Sequence, residues 1–171
     1  MKRPPPHTPT RRPLDPRMAN IGCDANALDR DGDGRNQLVQ RFCDLVAKGV
    51  LRPVVAGGVR IEVQHPKTPG DVKAAFLPRI FNLRPGLNFS QQRSRKRIRD
   101  ILRGNALEGK HDADTSHLCE AVETGCSYFI THDNRILHKR GELRPELPPS
   151  LTIVTLAEFF EIFDDYETKR I

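Results

Sequence analysis

The segment from residue 110 to residue 137 constrains the fold of this chain more than any other part of it. It opens with two acids, Asp112 and Asp114, continues with apolar residues at helical spacing, and reaches a glycine that ends the helix. A short apolar run, residues 128–130, follows, and Asp133 comes shortly after it. The order predicts a helix that begins with acids and a buried strand that is followed by another acid. Converging carboxylates are what a hard divalent metal ion needs.

The register of this helix predicts that Asp114 faces inward. Leu118, Ala121 and Val122 form an apolar stripe, and Asp114 precedes the first two by four and seven residues. An acid on a buried face is costly unless it is paired or coordinates a metal. We therefore expect Asp114 to be a metal ligand, whereas Asp112 suits the N-cap of the helix.

The remaining pattern predicts a single α/β domain, with a mainly parallel central sheet flanked by helices. Ligands of such sheets bind beyond the carboxyl ends of the strands, where Asp24 and Asp133 both stand. Glu62 is a lone carboxylate in a short apolar helix, and is either a solvent-facing acid or a metal carboxylate. The predicted strands are 19–23, 53–56, 128–130 and 151–154, and the predicted helices are 36–47, the turn after Gly57, 69–82, 90–103, the helix at Asp114, and one from the Thr155–Glu158 capping box.

Composition divides the chain into a body and two tails. Residues 1–17 hold six prolines and five basic residues, and we expect a disordered basic extension that is either an RNA-binding arm or a plain flexible segment. Residues 18–164 form the predicted domain, and 165–171 a charged C-terminal tail. The chain has no long apolar run and no secretory signal, which predicts a cytoplasmic protein, outside the membrane, with four free thiols.

Three further clusters offer alternative functions. The basic segment 90–103 could bind RNA phosphates or simply be a solvated helix face. Asp29, Asp31 and Asp33 imitate a calcium loop, although Gln40 stands where a bidentate acid is expected. Four histidines surround the acids without matching a zinc motif, so surface or substrate-contacting positions are expected for them. The cations of the basic segment are Arg93, Arg95, Lys96, Arg97, Arg99 and Arg103, and the histidines are His111, His117, His132 and His138.

Several of these elements, in order, resemble the PIN domain family, the nuclease fold of many bacterial toxin–antitoxin toxins. The resemblance spans about residues 19–163. It is carried by Asp114 with the alanine and glycine of its helix, by the strand end YFITHDNRIL at 128–137, and by LTIVTLAEFF at 151–160. Asp24-Ala25-Asn26 resembles the family's first "D-x-N" element, and Glu62 stands where the family places an acid after the second strand. The polar 29–34 loop and the arginine-rich 93–103 segment depart from the usual pattern.

The resemblance implies a metal-dependent endoribonuclease with Asp24, Glu62, Asp114 and Asp133 as its catalytic, metal-binding set. One or two Mg²⁺ or Mn²⁺ ions would activate a water for hydrolysis of RNA phosphodiesters. Thr131, Asp112 and Ser116 are candidates for supporting the ligands. A toxin role with an antitoxin partner is further implied, a homodimer is possible, and the competing hypothesis is a non-catalytic PIN-like module that binds RNA through residues 93–103.

Overall fold

Five strands form one parallel sheet in a computed structural model that describes residues 13–81 and 86–169. The strands are β1 (Asn20–Cys23), β2 (Arg52–Ala56), β3 (Ile80–Phe81), β4 (Tyr128–Ile130) and β5 (Thr152–Val154), and they lie in the order β3-β2-β1-β4-β5. The helices are α1 (Asp33–Ala47), α2 (Gly57–Val63), α3 (Gly70–Phe76), α4 (Phe89–Arg103), α5 (Asp112–Glu123), α6 (Asn134–His138), α7 (Arg140–Leu143) and α8 (Leu156–Thr168). The predicted α/β fold with a parallel sheet is confirmed.

Helices cover both faces of the sheet because the strand side chains alternate between them. Tyr128 and Ile130 belong to the apolar cluster formed with α1, α3 and α8, whereas Phe129 between them belongs to the cluster formed with α4 and α5. A sheet buried on both faces needs continuous apolar strands, which is the pattern of residues 128–130.

Gly22 sets the distance between β1 and α5. A Cβ built on Gly22 would lie 2.9 Å from the Cβ of Ala121, which is too close for two carbon atoms. Glycine therefore allows the helix to lie directly on the strand. Two residues along the strand and four along the helix both cover about 6 to 7 Å. Asp24 lies two residues after Gly22, and His117 lies four residues before Ala121. The two side chains therefore come to the same level above the contact between the strand and the helix.

The helix predicted over residues 69–82 is wrong in its second half. Helix α3 ends at Phe76, a short 3₁₀ turn (Leu77–Arg79) follows, and β3 takes the next two residues. Pro78 stands in the turn and cannot continue an α-helix, since it lacks an N–H and clashes with the preceding turn. Residues 82–85 of the predicted helix and loop lie outside the described residues.

The expectation that Asp112 caps its helix is also wrong. Asp112 is the first residue of α5, not its N-cap, and the cap position is held by His111, which makes no side-chain cap hydrogen bond. The calcium loop that Asp29, Asp31 and Asp33 imitate, the less favoured alternative for this segment, does not form, because Asp33 begins α1 and the chain is helical from there through Gln40. A calcium loop has to wrap its ligands around the ion, which a continuous helix prevents.

The tails are more ordered than their composition predicts. Pro16 is buried in a 3₁₀ turn (Pro16–Met18), so residues 13–17 belong to the folded body, whereas residues 1–12 lie outside the described residues. Helix α8 continues to Thr168 and takes in most of the predicted C-terminal tail.

The four cysteines are free, as predicted, and the structure shows that all four are buried. Burial raises the pKa of the Cys43 and Cys119 thiols to about 11, so both stay protonated at neutral pH. Among the described residues, no helix has the length and apolar character needed to span a bilayer.

Candidate functional site

The carboxyl ends of β1 and β4 meet at one edge of the sheet. Cys23 pairs with Ile130, and the backbone N–H of Asp24 donates to the carbonyl of Ile130 at 2.9 Å. Asp24 and Asp133 therefore follow neighbouring strands at the same edge. Helix α5 brings Asp114 to this edge, and α2, which follows β2 directly, brings Glu62. All four acids predicted from the sequence stand at this part of the molecule.

Asp24 is buried and held by two side chains. Its Oδ1 lies 2.9 Å from Nδ1 of His117, and its Oδ2 accepts a hydrogen bond from Oγ1 of Thr131 at 2.9 Å. Thr131 also accepts a hydrogen bond from the backbone N–H of Asp133 at 3.0 Å, so one hydroxyl links both strand ends. Oδ1 of Asn26 accepts a further hydrogen bond from the backbone N–H of His132 at 3.0 Å.

His117 connects Asp24 to Glu62. Its Nε2 lies 3.8 Å from Oε1 of Glu62, and its side chain is 4% exposed. Burial lowers the pKa of His117, but the hydrogen bond to Asp24 and the charges of Asp24 and Glu62 outweigh burial and raise it. His117 therefore binds a proton more readily between these two carboxylates than an ordinary histidine does.

Arg135 connects Asp114 to Asp133 in the same way. Its Nη2 donates to Oδ2 of Asp114 at 2.8 Å and to Oδ2 of Asp133 at 2.9 Å. Its backbone N–H donates to Oδ1 of Asp133 at 2.7 Å, which caps α6. The four acids thus form two pairs, each bridged by a basic side chain.

The acids still repel one another in spite of these cations. Burial, followed by the charges of Asp133 and Asp24, raises the pKa of Asp114, although Arg135 and His111 oppose the shift. Burial also raises the pKa of Glu62, helped by Asp24 and Asp114 and opposed by His117. The charges of one pair therefore change the pKa of acids in the other pair. Negative charge remains in excess at the site.

The structure places two basic side chains, His117 and Arg135, against the acids, where the sequence did not predict them. His117 was expected at the surface or against substrate, yet it is buried; its position three residues after Asp114 and four before Ala121 was a usable signal for the inward face. Arg135 left no comparable signal, because its contact with Asp114 joins residues 21 positions apart.

The predicted RNA-binding segment is largely neutralised by acids. In α4, Arg95 pairs with Glu123 and Arg97 with Glu146 at 3.2 and 3.1 Å. Looser pairs join Arg99 to Asp112 at 3.8 Å and Arg103 to Asp100 at 3.7 Å. Within the described part of the chain, Arg93 and Lys96 have no acidic partner. The segment therefore presents less uncompensated charge than its composition indicates.

A cavity of about 690 Å³ opens beside the acid site. Asp24 and Glu62 stand in its wall together with the cations Arg35 and Lys67, and apolar residues such as Val63 also line it. Cavities of this size hold small ligands or a segment of a polymer.

No group of three or more His, Cys, Asp and Glu side chains arranged to hold a metal ion occurs in residues 13–81 and 86–169. Comparisons with protein-family models, curated proteins and solved structures find no match for this chain.

Proposed function

We propose that this protein is a metal-dependent endoribonuclease of the PIN type. The observation that carries the proposal is the gathering of Asp24, Glu62, Asp114 and Asp133 at one sheet edge, where burial and then the neighbouring carboxylates raise the pKa of Asp114 and Glu62. Structural stability does not require such an arrangement, since like charges that face each other destabilise a fold. Metal-dependent hydrolysis of a phosphodiester uses such an arrangement, because the carboxylates hold the cation.

The donor chemistry of the acids fits a hard divalent cation. Carboxylate oxygens are the ligands of Mg²⁺ and Mn²⁺, and the excess charge leaves a cation favoured here. Asp24, Asp114 and Asp133 would hold the ion, with Glu62 as a further ligand or a positioning group. Bound Mg²⁺ or Mn²⁺ supplies a water of lowered pKa and stabilises the charge that develops on the phosphate.

The chain's own residues orient the ligands and leave room for substrate. Thr131 and His117 fix both oxygens of Asp24, so this carboxylate is held in one orientation before any ligand arrives. The cavity beside it gives an RNA strand access to Asp24 and Glu62. Its wall also holds Arg30, Arg35 and Lys67, whose charge attracts phosphates, next to the acids Asp29 and Asp31. The same proposal includes a small antitoxin partner, for which a gene for a DNA-binding protein directly upstream is the first observation to seek.

Cleavage of RNA by acid-to-amide variants tests the proposal. Asp114→Asn and Asp133→Asn should each lower the rate with Mn²⁺ or Mg²⁺ by more than about 100-fold, since changes even to outer partners of a metal cost about 10–100-fold. Asp112→Asn is the matched control, because Asp112 lies two residues from Asp114 but is exposed and pairs only loosely with Arg99. Equal rates for all four proteins would reject the nuclease.

Binding measured without cleavage separates this proposal from the RNA-binding module. In EDTA, the module predicts that Lys96→Glu on α4 weakens the binding of single-stranded RNA more than Lys67→Glu at the cavity does. The nuclease proposal predicts the opposite order, because the substrate would reach Asp24 and Glu62 through the cavity. The two variants reverse the same charge, one on α4 and the other in the wall of the cavity.

A further inference from the structure

Arg135 uses its own main chain and side chain to occupy both oxygens of Asp133. The backbone N–H of Arg135 donates a hydrogen bond to Oδ1 of Asp133. Its Nη2 donates to Oδ2 of Asp133 and also to Oδ2 of Asp114. Two of the three acids that would hold a metal ion therefore share one guanidinium. Cations that serve the same carboxylates compete, because each raises the cost of bringing the other close.

The guanidinium is poorly anchored apart from these two acids. Its Nε is buried and has no hydrogen-bond partner among the described residues, so a movement of the side chain breaks no bond at that atom. The side chain is 24% exposed, which leaves it a path to solvent. Its helix, α6, is only five residues long. Arg135 is thus held mainly by the charge of Asp114 and Asp133.

The single guanidinium of Arg135 also neutralises only part of the negative charge of the four acids. The edge carries four carboxylates against three basic side chains, the histidines His111 and His117 and the permanently charged Arg135. Exchange of one positive charge for a divalent ion brings the site closer to neutrality. The exchange is favourable only if the guanidinium moves away, since otherwise like charges face each other at contact distance.

We propose that Arg135 is the resident counter-cation of the acid site, and that a divalent metal ion binds Asp114 and Asp133 by displacing its guanidinium. The inference rests on the proposed function, because it assumes that the acids bind metal. Arg135 then has two effects on the protein. It stabilises the metal-free fold, and it weakens the affinity for metal by the same interaction.

Calorimetric titration with Mn²⁺ alone, without RNA, tests this role. Arg135→Gln should bind Mn²⁺ at least about tenfold more tightly than the unaltered chain, because the competing charge is gone. Arg97→Gln is the matched control: it removes an arginine that pairs with Glu146, away from the acids, and should leave the affinity unchanged. Arg135→Met keeps the length and apolar stem of the side chain, and provides a second neutral variant if Gln disturbs folding.

The outcomes separate this inference from the proposed function. Equal Mn²⁺ affinity in the unaltered chain and the Arg135 variants would overturn the counter-cation role and leave the metal site standing. Weaker binding by the variants would also overturn it, and would make Arg135 a support that holds the ligands in position. Failure of every protein to bind Mn²⁺ would overturn both.

Discussion

His132 shows how a single residue makes the stability of this protein depend on pH. Burial, followed by the charge of Arg35, lowers the pKa of His132 to about 4, although Glu158 opposes the shift. An unfolded chain has an ordinary histidine with a pKa of about 6.5. Between these two pH values the unfolded chain binds a proton at His132 and the folded chain does not. The free energy of unfolding therefore falls as the pH is lowered through this range.

We therefore predict that acidification below about pH 6.5 destabilises the fold through His132, by at most about 1.4 kcal/mol for each pH unit. The slope continues toward pH 4, where the folded protein also takes up the proton. His132→Gln should remove this contribution, whereas His138→Gln, at an exposed position, should keep it. Urea unfolding at pH 7 and pH 5 measures the difference, and an unchanged slope in His132→Gln would contradict the assignment.

The contact between β1 and α5 decides the geometry of the site at the scale of elements. Gly22 lets the helix rest on the strand, and this contact sets the level at which His117 reaches Asp24. Any side chain at residue 22 has to push the helix away. Because Ala121 is buried in a close-packed core, a shift of α5 away from β1 strains the packing around it.

Gly22→Ala should therefore destabilise the protein by roughly 1–3 kcal/mol, the usual cost of overpacking a core. Ala121→Gly alone should also destabilise it, through the helix propensity lost at that position. Together, the two changes should cost less than the sum of their separate effects, because the second makes room for the methyl group of the first. A double-mutant cycle by chemical unfolding measures this coupling, and strict additivity would show that the two positions do not press on each other.

The N-terminal segment is part of the whole molecule rather than an appendage. Tyr128 donates its hydroxyl to the carbonyl of Leu14, and Tyr166 donates to the carbonyl of Pro13 at 2.6 Å. Arg17 lies over the ring of Phe163 at 5.4 Å. The segment thus connects the sheet to the last helix of the chain.

A chain that begins at Met18 should be less stable than the full chain by about 2 kcal/mol or more, because removing the partner leaves the buried Tyr128 hydroxyl unpaired. Deletion of residues 1–12 alone keeps these contacts and serves as the control. Thermal unfolding of the three proteins makes the comparison. Equal stability of the Met18 chain and the full chain would mean that the docking of residues 13–17 contributes nothing.

The sequence by itself determined the fold class and the edge at which the acids gather. Continuous apolar runs identify strands buried on both faces, and helical spacing puts Asp114 on the same face as Leu118 and Ala121. Parallel strands joined through helices bring their carboxyl ends to one edge, which locates Asp24 and Asp133. These conclusions follow from local periodicity and chain connectivity, both of which can be read along the chain.

Only the tertiary structure decided which charges meet. His117 and Asp24 are 93 residues apart, and the docking of Arg135 between two acids depends on where α5 and α6 come to rest. The sequence of α4 fits a phosphate-binding surface and a solvated helix face equally well, and only the tertiary structure places Glu123 and Glu146 against its arginines. Side-chain pairing depends on distances of a few ångströms between elements, because electrostatic energy falls with separation in space and not along the sequence.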